Sequence, residues 1–260
     1  MNDRVSISVS GHIADVRLTR ADKMNAIDPA MFESIGAAID ELAEMTGVRC
    51  VVLSGEGRAF CAGLDMESMA AGGSGLSRID RNDQGSILPQ HVTWGWRNLP
   101  MPVIAAVHGV AMGGGFQIMS GADIRIAAPG TRFSIRETYW GLVPDMAGFP
   151  IWRGLVRDDV LRELVYTARE FEADEALAHG FITRIVEDPH AAAMELARVI
   201  AGRSPHAIRG AKRLLNMAHD SDPRAMLEAE TEEQIKVIGQ PNMMEAVAAN
   251  MGKRAPVFRD

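Results

Sequence analysis

Three consecutive glycines, Gly113 to Gly115, lie in a stretch without Lys, Arg, Asp or Glu that begins after Arg97 and ends before Asp123. A glycine run is costly unless the backbone must adopt a conformation, or allow an approach, that a β-carbon would block. Between a strand and a helix, such a turn presents unpaired N–H groups and the positive end of the helix dipole to one point. We therefore expect an anion site, for a phosphate or an oxyanion, with a plain packing turn as the alternative.

A second group with chemical potential is the carboxylate pair Glu137 and Asp145, which flanks a turn containing Gly141 and Pro144 amid apolar residues. Partial removal from water raises the pKa of a carboxyl group, and two such groups in different surroundings can act as acid and base. We therefore predict a proton shuttle at this turn. The alternative is that both side chains cap neighbouring helices at a solvated surface.

The elements that must position these groups follow from hydrophobic patterning. Residues 103–107 are β-branched and small, which is typical of a strand buried on both faces, and residues 48–54 form a second strand of this kind. We expect the ends of the two strands, at Leu53 and Val107, to lie side by side in a parallel sheet and to aim two sets of backbone N–H groups at one place. A membrane span through the uncharged stretch is disfavoured by its prolines and glycines.

The remaining pattern is that of an α/β protein. We predict further strands over residues 5–9, 13–18, 123–127, 132–134 and 182–186, the first two joined as a hairpin. We predict helices from Pro29 behind an Asp28 N-cap, over 87–98, from Asp158, and over 172–180, 189–201, 205–218, 223–237 and 243–251. Residues 1–187 are then the sheet region and residues 188–260 a helical C-terminal subdomain suited to assembly. Residues 71–75 are expected to form a loop or lid, or a surface insertion without a role.

Composition limits the class of protein. The 260 residues can form one large domain, and the net charge of −7 argues against broad electrostatic binding of nucleic acid. Cys50 and Cys61 give neither a disulfide framework nor a metal-ligand spacing, and the seven histidines form no HxH or HExxH motif. With no secretory signal in the first residues, we expect a cytoplasmic protein without a metal site.

Four motifs together resemble the crotonase family, also called the enoyl-CoA hydratase/isomerase family. They occupy residues 25–27, 60–65, 105–115 and 137–144 in the family's order, and residues 172–182 resemble its turn into the last strand. The resemblance implies a spiral of ββα units with a helical C-terminal region, assembled as trimers or dimers of trimers. It also implies an acyl-CoA thioester as substrate, with coenzyme A as part of that substrate, no tightly bound cofactor, and no nucleic-acid or membrane partner.

The resemblance also implies roles for individual residues. The N–H groups of Leu64 and Gly114 correspond to the family's oxyanion-hole donors, which stabilise a thioester enolate more than the ground state. The nucleotide is expected near residues of two loops, 23–25 and 62–65: Lys23, Asn25, Ala62, Gly63 and Asp65.

The reaction type depends on three side chains that the resemblance marks as catalytic. Hydratases of the family carry two glutamates, and Glu137 stands at one of these positions. Gln117 stands at the other, and a carboxamide cannot exchange a proton near neutral pH. Asp145, eight residues after Glu137, resembles the acid of the dienoyl-CoA isomerase branch. Hydration and double-bond isomerisation therefore both stay open at this point.

Other residues have weaker assignments. Trp94, Tyr139 and Trp140 are candidates for the acyl pocket or for plain core. Arg20, Lys23 and Lys253 are candidates for contacts with the phosphates of coenzyme A, or are only solvated charges. Cys61 is predicted to be a small packing residue, and His108 a structural hydrogen-bonding residue.

Two rival functions remain. A thioester hydrolase or serine peptidase would need a nucleophile beside the anion site, and Ser54, Ser120 and Ser134 do not stand in a GxSxG elbow. A non-catalytic homologue that binds acyl-CoA or RNA is the other rival.

Overall fold

The computed structural model describes residues 4–70, 80–83 and 85–260, so the loop or lid predicted at residues 71–75 lies outside the described residues. The described strands are β1 (Val5–Ser10), β2 (Ile13–Leu18), β3 (Cys50–Gly55), β4 (Val103–Val107), β5 (Val110–Met112), β6 (Ile124–Ala127), β7 (Arg132–Ser134), β8 (Phe171–Glu172) and β9 (Arg184–Ile185).

The described α-helices are α1 (Pro29–Glu44), α2 (Met66–Ala70), α3 (Leu88–Asn98), α4 (Gly114–Ser120), α5 (Gly148–Trp152), α6 (Asp158–Thr167), α7 (Ala173–His179), α8 (Pro189–Ala201), α9 (Pro205–Met217), α10 (Pro223–Val237) and α11 (Pro241–Met251). Ala21–Lys23 and Glu137–Trp140 form short 3-10 helices. The start of α1 confirms its predicted cap, because the Asp28 side chain accepts a 2.7 Å hydrogen bond from the N–H of Met31.

The main sheet has the strand order β1-β2-β3-β4-β6-β9. β1 and β2 form the predicted antiparallel hairpin, and each later pair is parallel. Leu53 of β3 pairs with Ala105 of β4, so the two buried strands are neighbours that run in the same direction. Their carboxyl ends therefore open at the same edge of the sheet, as predicted.

A second, smaller sheet was not predicted in full. It has the order β5-β7-β8, with β5 parallel and β8 antiparallel to β7. We predicted that the strand over residues 103–107 leads directly into the glycine turn, whereas residues 110–112 form a separate strand. Three residues are too few to show an alternating pattern, and only the pairing with β7 defines them as a strand.

The two faces of the main sheet have different partners. One large apolar cluster contains the inner faces of α1 and α3 together with the buried rings of Phe116 and Trp152. On the opposite face, Val52 and Ile104 pack against Ala193 and Ala197 of α8. We predicted α8 as part of the C-terminal subdomain, but this helix covers the sheet and packs as part of the core.

The helices after α8 expose much apolar surface. α10 buries no residue in the chain, and Leu227 and Ile235 on it are each 64% exposed. The role of this region in assembly stays a prediction. Within the described residues, no helix is long and apolar enough to cross a bilayer.

Candidate active site

The glycines of the predicted anion site allow two loops to approach closely. Gly63 has a φ of +88°, and a β-carbon there would lie 2.6 Å from the carbonyl oxygen of Met112 and 3.7 Å from the nitrogen of Gly114. A β-carbon on Gly115 would lie 2.4 Å from the carbonyl oxygen of Cys61. Both distances to oxygen are too short for a side chain. These positions require glycine because the loop after β3 packs directly on the start of α4.

This packing leaves two backbone donors unused. Among the described residues, neither the N–H of Leu64 nor that of Gly114 has a hydrogen-bond acceptor. Their neighbours are bonded: Asp65 donates to the carbonyl of Ile27 over 3.0 Å, and Gly113 donates to the carbonyl of Ser134 over 2.8 Å. The loops are therefore fixed on either side of two free donors, and fixed N–H groups without an acceptor are one requirement of an oxyanion hole.

Both donors belong to the walls of one continuous recess. A cleft of about 310 Å³ is lined by Leu64, Gly114, Glu137 and Leu142, together with residues of β5 and the loop before α2. The same four residues line an adjoining cavity of about 190 Å³, which adds Val143, Asp145 and Met146. The predicted oxyanion donors and both predicted carboxylates therefore meet at the smaller cavity.

Glu137 is buried at the start of its 3-10 helix, with 6% of its surface exposed. Its Oε1 accepts a 2.7 Å hydrogen bond from Nε2 of Gln117, and within the described residues its Oε2 has no partner. Burial raises the pKa of Glu137, an effect opposed by the Gln117 hydrogen bond and reinforced by the charge of Asp145. A buried carboxylate oxygen without a protein partner is an unsatisfied acceptor, which is a feature of groups with a chemical role.

Asp145 is the more exposed of the two acids. Partial burial raises its pKa above the ordinary value for aspartate. Neither Asp145 nor Glu137 caps a helix, since the N-cap residues of the elements nearest to them are Arg136 and Ala147, without side-chain hydrogen bonds. The capping alternative is therefore wrong for these two elements, and the proton shuttle stays a prediction.

Gln117 lies behind the site and does not line either cavity. It is fully buried in α4, and its Oε1 accepts hydrogen bonds from the N–H groups of Met146 (3.0 Å) and Gly148 (3.1 Å). Its Nε2 donates to Glu137. We predicted Gln117 among the catalytic residues, but its bonds indicate a positioning residue, because one amide connects Glu137 to the loop that carries Asp145.

Two residues predicted near the nucleotide have structural bonds instead of free side chains. Asn25 is fully buried, and its Nδ2 donates to the carbonyl oxygens of Glu56, Ala59 and Phe60 at 3.0, 2.9 and 3.1 Å. Its side chain therefore holds the loop after β3 and does not face the cleft.

The other such residue is Asp65, which forms a 2.6 Å ion pair with Arg20 and accepts a hydrogen bond from the N–H of Glu67 at the start of α2. Burial alone would raise the pKa of Asp65. The hydrogen bonds from Arg20 and from backbone N–H groups together lower it by more than burial raises it, so the pKa lies below the ordinary value. Arg20, with its side chain 10% exposed, is thus a loop-fixing residue and not a free cation for phosphates.

The remaining predicted nucleotide contacts are accessible. Ala62 and Gly63 line the cleft. Lys23 is exposed and forms a 3.0 Å ion pair with Glu67, an exposed partner that a phosphate can replace. Lys253 is exposed after the end of α11. Their contacts with coenzyme A stay predictions.

The three candidate aromatic residues lie in different places. Trp140 lines the cleft and is 51% exposed. Tyr139 lines neither cavity; it is 61% exposed, and its ring centroid lies 4.4 Å from the guanidinium carbon of Arg136. Trp94 lines a third cavity, which it shares with Asp145.

Three charged residues that line the cleft were not predicted from the sequence. They are Arg132, Arg136 and Glu170. Glu170 forms ion pairs with Arg132 at 2.9 Å and with Arg136 at 3.5 Å. The short β7 and β8 strands place these residues together. Because their pairing was not predicted, no signal in the sequence connected residue 132 with residue 170.

Two of the three serines considered as hydrolase nucleophiles have hydroxyl groups that are bonded within the protein. The hydroxyl of Ser120 donates to the carbonyl of Phe116, and that of Ser134 donates to the carbonyl of Ala168. Burial raises the pKa of Cys61 to about 12, which confirms it as a packing residue. His108 lies 3.0 Å from the carbonyl of Gly57, in agreement with a structural role. Among the described residues, no cluster of His, Cys, Asp and Glu suits a metal ion.

Comparison with known proteins identifies the family of the chain. The family model described as enoyl-CoA hydratase/isomerase matches residues 8–260. The chain is 30% identical to the mitochondrial Delta(3,5)-Delta(2,4)-dienoyl-CoA isomerase of Mus musculus, over 95% of this chain and 79% of that protein. It is 32% identical to an enoyl-CoA hydratase of Mycobacterium tuberculosis, over 96% and 94% of the two chains. The crystal structure of an enoyl-CoA hydratase from Bacillus anthracis superposes with a TM-score of 0.88 at 28% identity, over 98% of each chain.

Proposed function

Because the chain belongs to the enoyl-CoA hydratase/isomerase family, we propose that it shifts double bonds in an unsaturated acyl-CoA thioester by moving a proton between carbons. One observation carries the proposal. Glu137 and Asp145 line the same cavity as Leu64 and Gly114, whose N–H groups have no acceptor among the described residues. A proton donor, a proton acceptor and two oxyanion donors thus share one space.

The two amides stabilise the intermediate. When a proton leaves the carbon next to the thioester carbonyl, negative charge develops on the carbonyl oxygen. Preorganised N–H groups aimed at that oxygen stabilise this charge more than the ground state, and each such donor contributes roughly 3 kcal/mol to lowering the barrier. We infer that a thioester with its oxygen between Leu64 and Gly114 has its Cα carbon near Glu137, because Glu137 lines both the cleft and the smaller cavity.

Glu137 is the base and Asp145 the acid in this scheme. The free Oε2 of Glu137 takes the proton from Cα, and the electron pair delocalises into the thioester and along the conjugated chain. Protonated Asp145, which lines the smaller cavity but not the cleft, delivers its proton to the remote carbon. Burial raises both pKa values, which strengthens Glu137 as a base and helps Asp145 to retain its proton.

Hydration is the second candidate. It is supported by relatives named enoyl-CoA hydratases and by the partnerless Oε2 of Glu137, which could activate a water molecule. Gln117 argues against it, because its amide is bonded on both sides and cannot supply the second carboxylate of the two-glutamate mechanism.

Product analysis separates the candidates. The protein is incubated in deuterium oxide with 2-enoyl-, 3-enoyl- and 3,5-dienoyl-CoA, and deuterium uptake and 3-hydroxyacyl-CoA are followed together. We expect conjugated, deuterium-labelled products without 3-hydroxyacyl-CoA. Rapid formation of 3-hydroxyacyl-CoA from 2-enoyl-CoA would show that the reaction is hydration and not isomerisation. Binding without turnover would favour the non-catalytic homologue.

A further inference from the structure

Met146 fills the space next to the proposed oxyanion donor Gly114. The residue is buried, with 2% of its surface exposed. A β-carbon on Gly114 would lie 3.0 Å from Sδ and 3.5 Å from Cε of Met146, and 2.9 Å from Cδ1 of Ile27. Of these two neighbours, Met146 lines the smaller cavity of about 190 Å³. The thioether end of Met146 therefore forms the part of the cavity wall that lies against Gly114.

The same residue also adjoins the proposed acid. Met146 follows Asp145 in the chain, and both residues line the smaller cavity. Because its backbone is joined to Asp145 and its sulfur lies against Gly114, the Met146 side chain spans the wall between these two groups. In the proposed reaction, the thioester oxygen binds at Gly114 and the remote carbon receives its proton from Asp145. The carbons between them then lie along the Met146 side chain.

We propose that Met146 determines specificity by restricting the substrates to acyl-CoA thioesters without branches between the carbonyl and the remote reacting carbon. The inference rests on the proposed function, because that function places these carbons between Gly114 and Asp145. A methyl branch adds the volume of one carbon at a wall that the thioether already fills. Closely packed walls resist such additions, since neighbouring side chains or the backbone must shift to accept them.

The backbone of Met146 has little freedom to retreat from a branched substrate. Its N–H group donates a 3.0 Å hydrogen bond to Oε1 of Gln117, and the N–H group of Gly148 donates to the same oxygen over 3.1 Å. A β-carbon on Gly148 would lie 2.3 Å from Cη2 of the buried Trp152, so the segment packs directly on this indole ring. A methionine side chain is flexible in itself, but here it is almost fully enclosed. The position of its thioether therefore sets the width of the cavity.

The smaller cavity has a second apolar residue that provides a matched control. Val143 lines the same cavity but is 70% exposed, so its side chain can move into solvent. Shortening Val143 removes bulk from the cavity without changing the confined wall at Gly114. Relief of a steric limit by Met146 variants, and not by Val143→Ala, thus assigns the limit to Met146.

Binding of saturated thioesters tests the inference without turnover. Affinities of butanoyl-CoA and 3,3-dimethylbutanoyl-CoA are measured by calorimetry for the wild type, Met146→Ala, Met146→Val, Met146→Leu and Val143→Ala. The three methyl groups of the branched ligand point in different directions, so rotation cannot turn all of them away from Met146. Met146→Val removes the thioether end with less loss of packing than Met146→Ala, and Met146→Leu keeps most of the volume.

We expect the wild type to bind butanoyl-CoA about tenfold or more tightly than the branched ligand, and Met146→Val and Met146→Ala to reduce this preference to about threefold or less. Met146→Leu and Val143→Ala should keep the wild-type preference. Equal affinities in the wild type, an unchanged preference in both shortened Met146 variants, or the same relief from Val143→Ala would overturn the inference. These outcomes concern binding alone, whereas the absence of a double-bond shift in the product analysis would contradict the proposed function.

Discussion

Nε2 of Gln117 donates a 2.7 Å hydrogen bond to Oε1 of Glu137, and both groups are buried. The bond fixes one oxygen of the carboxylate and leaves the other without a partner among the described residues. Because the opposite side of the same amide accepts from Met146 and Gly148, one side chain sets the position of Glu137 relative to the loop of Asp145.

Glu137→Gln tests the proposed base. The variant keeps the shape of the side chain and can still accept the Gln117 hydrogen bond, but it cannot take a proton. We expect kcat/KM for the double-bond shift to fall by a factor of about a hundred to ten thousand, with little change in the affinity for acyl-CoA. Deuterium exchange at Cα of a saturated acyl-CoA, measured by mass spectrometry, should fall in parallel. Full activity in the variant would exclude Glu137 as the base.

The same variant has an opposite effect on stability. Burial raises the pKa of Glu137 in the folded protein, so the folded state holds its proton more tightly than the unfolded state does. Stability from this group is therefore complete below its ordinary pKa and is lost as pH rises through the raised value. Thermal unfolding should show Glu137→Gln matching the wild type at acidic pH and exceeding it near neutral pH. A variant that is less stable at every pH would contradict the pKa assignment.

Gln117→Glu tests the positioning role. A glutamate at 117 can still accept from Met146 and Gly148, but it loses the donor to Glu137 and places a second carboxyl beside it. Two adjacent carboxyl groups share a proton, which raises one pKa further. We expect the acidic limb of the pH–rate profile to move to higher pH. An unchanged profile would show that Gln117 does not tune Glu137.

Gly63→Ala tests the close approach of the two loops. A β-carbon there would lie 2.6 Å from the carbonyl oxygen of Met112, so one loop must move and carry the N–H of Leu64 with it. Gly130→Ala is the matched control: Gly130 has a φ of +66°, but a β-carbon there would meet nothing within 4 Å. We expect both variants to lose about 1 kcal/mol or more of unfolding free energy, and only Gly63→Ala to lose most activity. Similar activities would separate Gly63 from the site.

The placement of β3 and β4 as parallel neighbours was predictable from the sequence, because both segments are buried on both faces and their composition shows it. The predicted oxyanion donors could be assigned from the resemblance, and the glycines at 63 and 113–115 gave an independent physical reason for their proximity. Bounds of helices with proline at the start, such as Pro189–Ala201 and Pro223–Val237, matched the prediction because that signal is local.

The side-chain partners were not predictable. Asn25 and Asp65 belong to motifs that suggested nucleotide contacts, yet their polar atoms satisfy the backbone of a loop more than 30 residues away or pair with Arg20. Gln117 was marked as catalytic because of its position after the glycines, but the orientation of its amide depends on the 146–148 loop. Such contacts arise between segments that are distant in sequence, and residue type alone does not indicate which partner a polar group will find.

The proposed reaction requires the N–H groups of Leu64 and Gly114 to bind the carbonyl oxygen of a thioester. Isotope-edited infrared spectroscopy tests it directly, with a ¹³C-labelled thioester carbonyl in acyl-CoA bound to Glu137→Gln, which prevents turnover. We predict that the carbonyl stretch lies at lower frequency in the complex than in water, and that Gly63→Ala in the same background reverses much of the shift while Gly130→Ala does not. A stretch at or above the frequency in water would contradict the account, because no oxyanion hole would then act on the substrate.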